Sequence, residues 1–305
     1  MSVDRDDYPE PPEHHERAPA VQERATDTGD APRLRERQLA EHARYQKVVE
    51  ASYQEAARDA WARAVPELRA AWEDHKQRYP ERVRPTAQTQ ADGSWAGDGG
   101  RRLPPGQNAE ATKCCADLRD EADQVILPAM DRVAAADSSR HLADLEHMLK
   151  GEDRLKEKLA DELAAKSAKT VRGALDAVAD AVRFTLSYPS ERYAGGVLAD
   201  VDRLKAEGFE LIKLKNLWHA DQYKGVDSQW RVPESGTRFE MQFHTPESRE
   251  AKELTHEAYE RIRAAATLPV GERDLAEEQQ LENFQRQANA LLVRPPGTAT
   301  IKDYP

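Results

Sequence analysis

RFEMQFH, residues Arg238–His244, alternates polar and apolar side chains without a break. Successive side chains of a β-strand point to opposite faces. Phe239, Met241 and Phe243 are therefore expected in a core, with Glu240, Gln242 and His244 aligned on the other face. GVDSQWRVP, just upstream at 225–233, alternates in the same way, and Glu234-Ser235-Gly236-Thr237 between the two carries a turn signal. The pair predicts an antiparallel hairpin. VRFTLSYP at 182–189 and the segment 209–214 read as further strands, with an amphipathic helix over 194–207 between them. Helices are expected over 246–266 and 273–292. The C-terminal half is thus α+β, with four or five strands in one sheet.

Upstream the pattern is helical. Segments 109–127 and 142–168 read as helices, with Pro128 opening a further turn. Residues 80–108, with ADGSWAGDGG and LPPG, read as a linker or long loop. From Arg37 to Tyr79, Trp61, Val65, Leu68 and Trp72 recur at helical spacing on one face. Pro66 is expected to kink this helix or to start a second one. The first 35 residues are polar, charged and proline-bearing, with little to bury. The implied organisation is a disordered segment over 1–35, a helical extension over 36–80 and a linker over 81–108. A main domain over 109–292 and a tail over 293–305 follow. The extension reads as packing or as a homo-oligomerisation element, with a partner-binding arm as the alternative.

The 305 residues carry a net charge of −11, which argues against broad attraction to nucleic acid or an anionic membrane. A local lysine cluster around a polyphosphate remains compatible with it. There is no run of 18 apolar residues, and the first residues have no apolar core of a secretory signal. A cytoplasmic location is the expectation, with export by a non-classical route as an alternative. Cys114 and Cys115 are adjacent and are expected to be reduced thiols.

Four clusters carry possible chemistry. The row Glu240, Gln242, His244 is costly on an interior strand unless it meets a ligand or metal; a wet sheet face is the plain alternative. Asp180 stands at the entry to a strand, with Arg183 three residues on. Asp180 and Glu240 together offer two hard oxygen ligands, which suits Mg²⁺ when phosphates and waters complete its shell. HMLKGEDRLKEKL places Lys150, Arg154 and Lys158 on one ridge if it is helical throughout, a grip for a triphosphate or else a solvated face. KLKNLWHADQYKGV alternates Lys213 and Lys215 on a strand. It then presents Tyr223 and Lys224 in a tight loop, suited to stacking on a base and meeting a phosphate.

The order LKxxxxLKxK, DxxRFT, KxKN…YKGV and FExQFHTPES, followed by KxxxH and YExxR, resembles the synthetase domain of the RelA/SpoT family. The resemblance is nearest that family's small actinobacterial or toxin-like branch. It covers about 109–292, most clearly 145–265. It implies a mixed sheet of about five strands flanked by helices, related in plan to nucleotidyltransferases. It also implies transfer of the β,γ-pyrophosphate of ATP, bound with Mg²⁺, to the 3′-hydroxyl of an acceptor nucleotide. By motif, Lys150 and Lys158 contact the donor phosphates, Asp180 and Glu240 hold Mg²⁺, and Arg183 is the arginine of the aspartate motif. Tyr223 stacks on the acceptor base, and Glu240 orients or deprotonates the attacking hydroxyl. Gln242 and His244 flank it. Three positions depart from the pattern: Met148 replaces an arginine, Arg154 a serine, and Asp227 a histidine or asparagine. The acceptor stays open among guanosine and adenosine nucleotides and an RNA 3′ end, with net acidity favouring free nucleotides over tRNA. A growth-inhibiting toxin with a neutralising protein partner is one implied role. A nucleotide-binding sensor without turnover is the rival reading, and a helical structural protein a third.

Overall fold

The computed structural model describes residues 31–81, 85–166 and 168–305. Of the segment expected to be disordered, residues 1–30 lie outside the described residues. Helix α1 (Ala31–Arg78) already includes 31–35, because Arg, Leu, Glu, Gln and Ala dominate 31–40 and favour helix. The chain divides into two compact units, Met1–Val48 and Val49–Pro305. In the first, the described side chains of α1 are all exposed. The rest of the fold belongs to the second.

α1 runs through Pro66 as one helix, where the sequence predicts a kink or a new start. A proline inside a helix costs about 3 kcal/mol. Here that cost is offset by the face of 49–78, which packs on α7 (Pro246–Ala265) and α8 (Leu275–Ala290). Trp61 and Val65 meet Ala251 and Ala288, and Trp72 meets Ala258, Leu281 and Phe284. Both indoles also donate to α7 carboxylates, Trp61 to Glu250 at 2.9 Å and Trp72 to Glu257 at 3.3 Å.

The stretch read as a linker contains a small antiparallel sheet, β1 (Gln88–Thr89), β2 (Trp95–Ala96) and β3 (Arg102–Leu103). Trp95 and Leu103 are fully buried, so this segment has a core contribution its polar composition hides. Gly97 is required beside Trp95: a Cβ there would lie 2.3 Å from the indole. Helix α2 (Pro105–Glu121) begins at a proline, whose missing N–H costs nothing in a first turn. Between it and α3 (Leu127–Ala135) the helix widens to a π turn at Ala122–Ile126, making room for the ring of Pro128.

The region expected as helix over 142–168 is a strand followed by a later helix. β4 (His141–Ala143) pairs with β5 (Arg183–Ser187), and α4 (Glu152–Ala164) starts only after Gly151. Long-range pairing decides this, since no local window records it. α5 (Val171–Ala177), α6 (Tyr193–Ala206), β6 (Glu210–Asn216), β7 (Val226–Arg231) and β8 (Arg238–His244) complete the domain. The architecture is α+β: a five-stranded mixed sheet in the order β4-β5-β8-β7-β6, flanked by helices and preceded by helical structure. β5 and β8 are parallel, and every other neighbouring pair is antiparallel.

Phe239, Met241 and Phe243 are completely buried, facing Phe184, Leu186, Val226 and Trp230. The C-terminal segment is fastened to the sheet edge: Leu214 and Tyr304 exchange backbone hydrogen bonds, and Asn216 donates to the carbonyls of Thr298 and Ile301. It caps a strand edge otherwise open to pairing. Among the described residues no helix is long and apolar enough to cross a membrane.

Candidate active site

Register builds the site. On the face opposite the core, Arg183, Glu240, Gln229 and Lys213 form one row across β5, β8, β7 and β6. Thr185, Gln242, Asp227 and Lys215 form the next. This face opens into a cleft of about 1050 Å³, walled also by α4, α7, α8 and the turn at Asp98–Arg101.

Lys150 is not part of a helical ridge. It sits in an extended segment whose backbone pairs with 181–183, through Lys150 N–H to Ala181 O and Arg183 N–H to Met148 O. This pairing brings it beside Asp180. Lys158, two turns into α4, reaches the same carboxylate from another direction. Lys158 Nζ lies 2.5 Å from both Asp180 oxygens, and Lys150 Nζ lies 3.3 Å from one. Burial works to raise the Asp180 carboxyl, but the two ammoniums outweigh it and hold Asp180 below the usual range. Burial likewise lowers Lys150, with Asp180 opposing and Lys158 assisting. Arg154 lies at the rim, paired with Glu157 at 2.9 Å and with Glu260 of α7 at 3.2 Å.

The Arg183 side chain lines the cleft and makes no hydrogen bond or ion pair among the described residues. Beside it, Glu240 Oε1 accepts from Gln242 Nε2 at 2.9 Å, and Gln242 Oε1 accepts from Lys252 Nζ at 2.7 Å. Asp227, on β7, stands diagonally across from Glu240 on β8. Burial, then the charge of Glu240, push Asp227 up to about 8, while Lys213 and Lys215 pull the other way. Asp227 Oδ1 is fully buried without a hydrogen-bond partner. Lys213 and Lys215 stand along the sheet from Asp227, outside the cleft wall.

Tyr223 lines the cleft, half-buried, with its hydroxyl 2.8 Å from His244 Nε2 and the two rings edge to face. His244 is completely buried and is not among the cleft-lining residues, so it does not meet a ligand directly as its motif position implies. Burial holds its imidazole neutral, and its Nδ1 lies 2.9 Å from Ser248 Oγ. Gly225 permits this close approach, since a Cβ there would lie 2.9 Å from His244 Cε1. Lys224 departs from expectation: it donates to the Trp218 carbonyl at 3.2 Å and is not among the cleft-lining residues.

Two walls went unread as site. α7 contributes Lys252, His256, Tyr259 and Arg263 at helical spacing, and the supposed linker contributes Asp98, Gly99 and Arg101. The KxxxH and YExxR spacings signalled the first. Nothing in the Gly-rich 97–100 run signalled the second, because Arg101 reaches its place through a two-pronged bond to Asp161 of α4, at 2.8 and 3.0 Å.

No group of three or more His, Cys, Asp or Glu among the described residues is placed to hold a metal ion. Asp180 and Glu240, which both line the cleft, are two hard oxygen donors. They fit a magnesium ion that brings phosphate and water ligands with it.

No family model matches the chain, and no curated protein matches it. Solved structures do. The protein smu.1046c from Streptococcus mutans is 12% identical with a TM-score of 0.35, over 59% of this chain and 88% of that one. A GTP pyrophosphokinase family protein from Streptococcus pneumoniae is 13% identical at 0.34, over 59% and 85%. The small alarmone synthetase 1 from Bacillus subtilis, bound to its product pppGpp, is 11% identical at 0.32, over 60% and 89%.

Proposed function

We propose that this chain is a nucleotide pyrophosphokinase, moving the β,γ-pyrophosphate of ATP to the 3′-hydroxyl of a second nucleotide. The observation that carries this reading is the meeting of Lys150, Lys158 and the unpaired Arg183 with Asp180 and Glu240 in one cleft large enough for two nucleotides. Such a cleft suits a reaction that rests on positioning and charge neutralisation.

Magnesium carried in with ATP and held by Asp180 and Glu240 would supply Lewis-acid neutralisation of the phosphates. Lys150 and Lys158 transfer their contacts from Asp180 to the donor polyphosphate. Arg183 offsets charge on the transferring group. Glu240 takes the proton of the 3′-hydroxyl as the 3′-oxygen bonds to the β-phosphorus. The bond from that phosphorus to the oxygen shared with the α-phosphate breaks, and AMP departs. Tyr223 offers its ring to the acceptor base, with its hydroxyl anchored on His244. Release of alarmone-type products would make the protein growth-inhibiting inside a cell.

A second reading, a nucleotide-binding sensor, is favoured by the buried Asp227 oxygen, which lines the cleft without a hydrogen-bond partner and has no part in the transfer reaction. One experiment separates them. Labelled ATP is incubated with GDP, GTP, AMP, ADP, ATP or tRNA, and products are resolved by chromatography. A 3′-pyrophosphorylated product from any acceptor supports the enzyme. Saturable nucleotide binding with no product from the whole panel overturns it in favour of the sensor.

A further inference from the structure

We propose that Lys252 is a positioning residue for Glu240, acting through the side-chain amide of Gln242. This deepens the enzymatic reading above and rests on it for the role of Glu240.

Lys252 sits on α7, and its ammonium has one hydrogen-bond partner among the described residues, Gln242 Oε1 at 2.7 Å. It makes no ion pair among them. A half-buried ammonium without a carboxylate against it is costly, so ordinary surface pairing does not explain the placement. The charged groups that act on it are the cation Arg183 and the carboxylates Asp144, Glu240 and Glu253, none of which pairs with it. The chemistry of the amide explains it better.

A glutamine side chain has two nearly isosteric ends, one accepting and one donating. Lysine only donates, and an ionised carboxylate only accepts. With Lys252 on one side and Glu240 on the other, one orientation satisfies both neighbours. Oε1 faces Lys252, and Nε2 donates to Glu240 Oε1 at 2.9 Å. The reversed amide would set two donors against each other and two acceptors against each other. Lys252 thus fixes the amide, and the amide fixes one oxygen of Glu240, leaving Oε2 for the reacting hydroxyl.

The frame behind the relay is rigid. β8 ends at His244, and α7 starts at once with a capping box in which Thr245 and Ser248 bond each other's backbone N–H. Arg249, in the next turn, grips Asp144 at 2.9 Å, tying α7 to the segment after β4. Gln242 and Lys252 are therefore held at fixed separation from both ends.

The rival account is that Lys252 touches substrate phosphate itself. The two differ in where a loss falls. For a positioning residue, Lys252→Met and Gln242→Ala should each lower kcat about 10–100-fold, as expected for misplaced catalytic groups, with KM for ATP changed less than about twofold. The double variant should be no slower than Gln242→Ala alone, because both remove one relay. Lys252→Arg, which keeps a donor-only cation, should recover most of the rate and also serves if Lys252→Met melts early. A large rise in KM for ATP, or losses that multiply in the double variant, would overturn the proposal.

A readout that needs no turnover accompanies the kinetics. In ¹⁵N spectra of the free protein, the Gln242 side-chain amide, assigned by its loss in Gln242→Ala, should show two well-separated, slowly exchanging protons. These should move to the positions of a solvent-exposed glutamine in Lys252→Met and stay put in Lys252→Arg. If Lys252→Met leaves them unchanged, the relay is wrong even where the enzyme is active. If wild type makes no product while the amide responds as stated, the relay stands and the enzymatic reading has failed.

Discussion

Lys158 holds both carboxylate oxygens of Asp180 at 2.5 Å, while Lys150 approaches one of them at 3.3 Å from a segment outside the helix. One carboxylate is thus shared by two ammoniums, which leaves the triad with a formal excess of one positive charge. In the proposed reaction a polyphosphate with its cation would exchange into this triad, taking the lysines and leaving the carboxylate to the cation.

Asp180→Asn and Glu240→Gln should therefore each lower pyrophosphate transfer by about 10³-fold or more, in the range seen when a preorganised charge is removed. Circular dichroism should remain that of the wild type. Substantial activity in either variant, measured with saturating ATP and magnesium, would remove that residue from the chemistry. Lys158→Ala should mainly raise KM for ATP.

Asp227 offers a stability test that needs no substrate. Its folded pKa is raised to about 8, so its favourable contribution is complete below the unfolded value near 3.8 and is lost as pH rises toward 8. Asp227→Asn should therefore stabilise the chelator-treated protein most at pH 8 and above, by about 1–2 kcal/mol. The gain should shrink toward pH 4. Thermal melts at both ends check this; a gain independent of pH would show that burial and the charge of Glu240 do not raise Asp227.

Far from the cleft, Asp200 is completely buried and accepts from Arg140, from Tyr188 at 2.7 Å and from Arg203 at 2.6 Å. Arg140 is itself buried and also donates to the Val133 and Asp137 carbonyls at the end of α3. Asp200→Ala leaves that guanidinium uncompensated and should cost about 3–5 kcal/mol in urea unfolding. Tyr188→Phe should cost about 1–3 kcal/mol, the penalty of one lost buried hydrogen bond. Equal and small effects would mean the network contributes little.

Gly225 has a negative φ, so its requirement is space and not backbone conformation. Gly225→Ala would press on His244 and the Phe243 carbonyl, displacing the Tyr223 hydroxyl from its 2.8 Å contact. Activity should fall about tenfold or more through acceptor KM, with KM for ATP little changed, in line with a misplacement near 1 Å. An unchanged acceptor KM would argue that the Tyr223–His244 pair is structural only.

The RFEMQFH alternation alone determined which residues of β8 enter the core and which face the cleft, because a strand's period of two is set by local covalent geometry. The same locality made the hairpin, β5 and the helices 194–207 and 246–266 legible, to within a residue or two at their ends. Only tertiary structure decided that Lys150 lies outside α4, that Gly-rich 97–100 is anchored on α4, that His244 is buried away from the cleft and that Lys252 reaches Gln242. Each depends on pairing or packing between segments far apart in the chain. No local window contains the partner that wins over intrinsic preference.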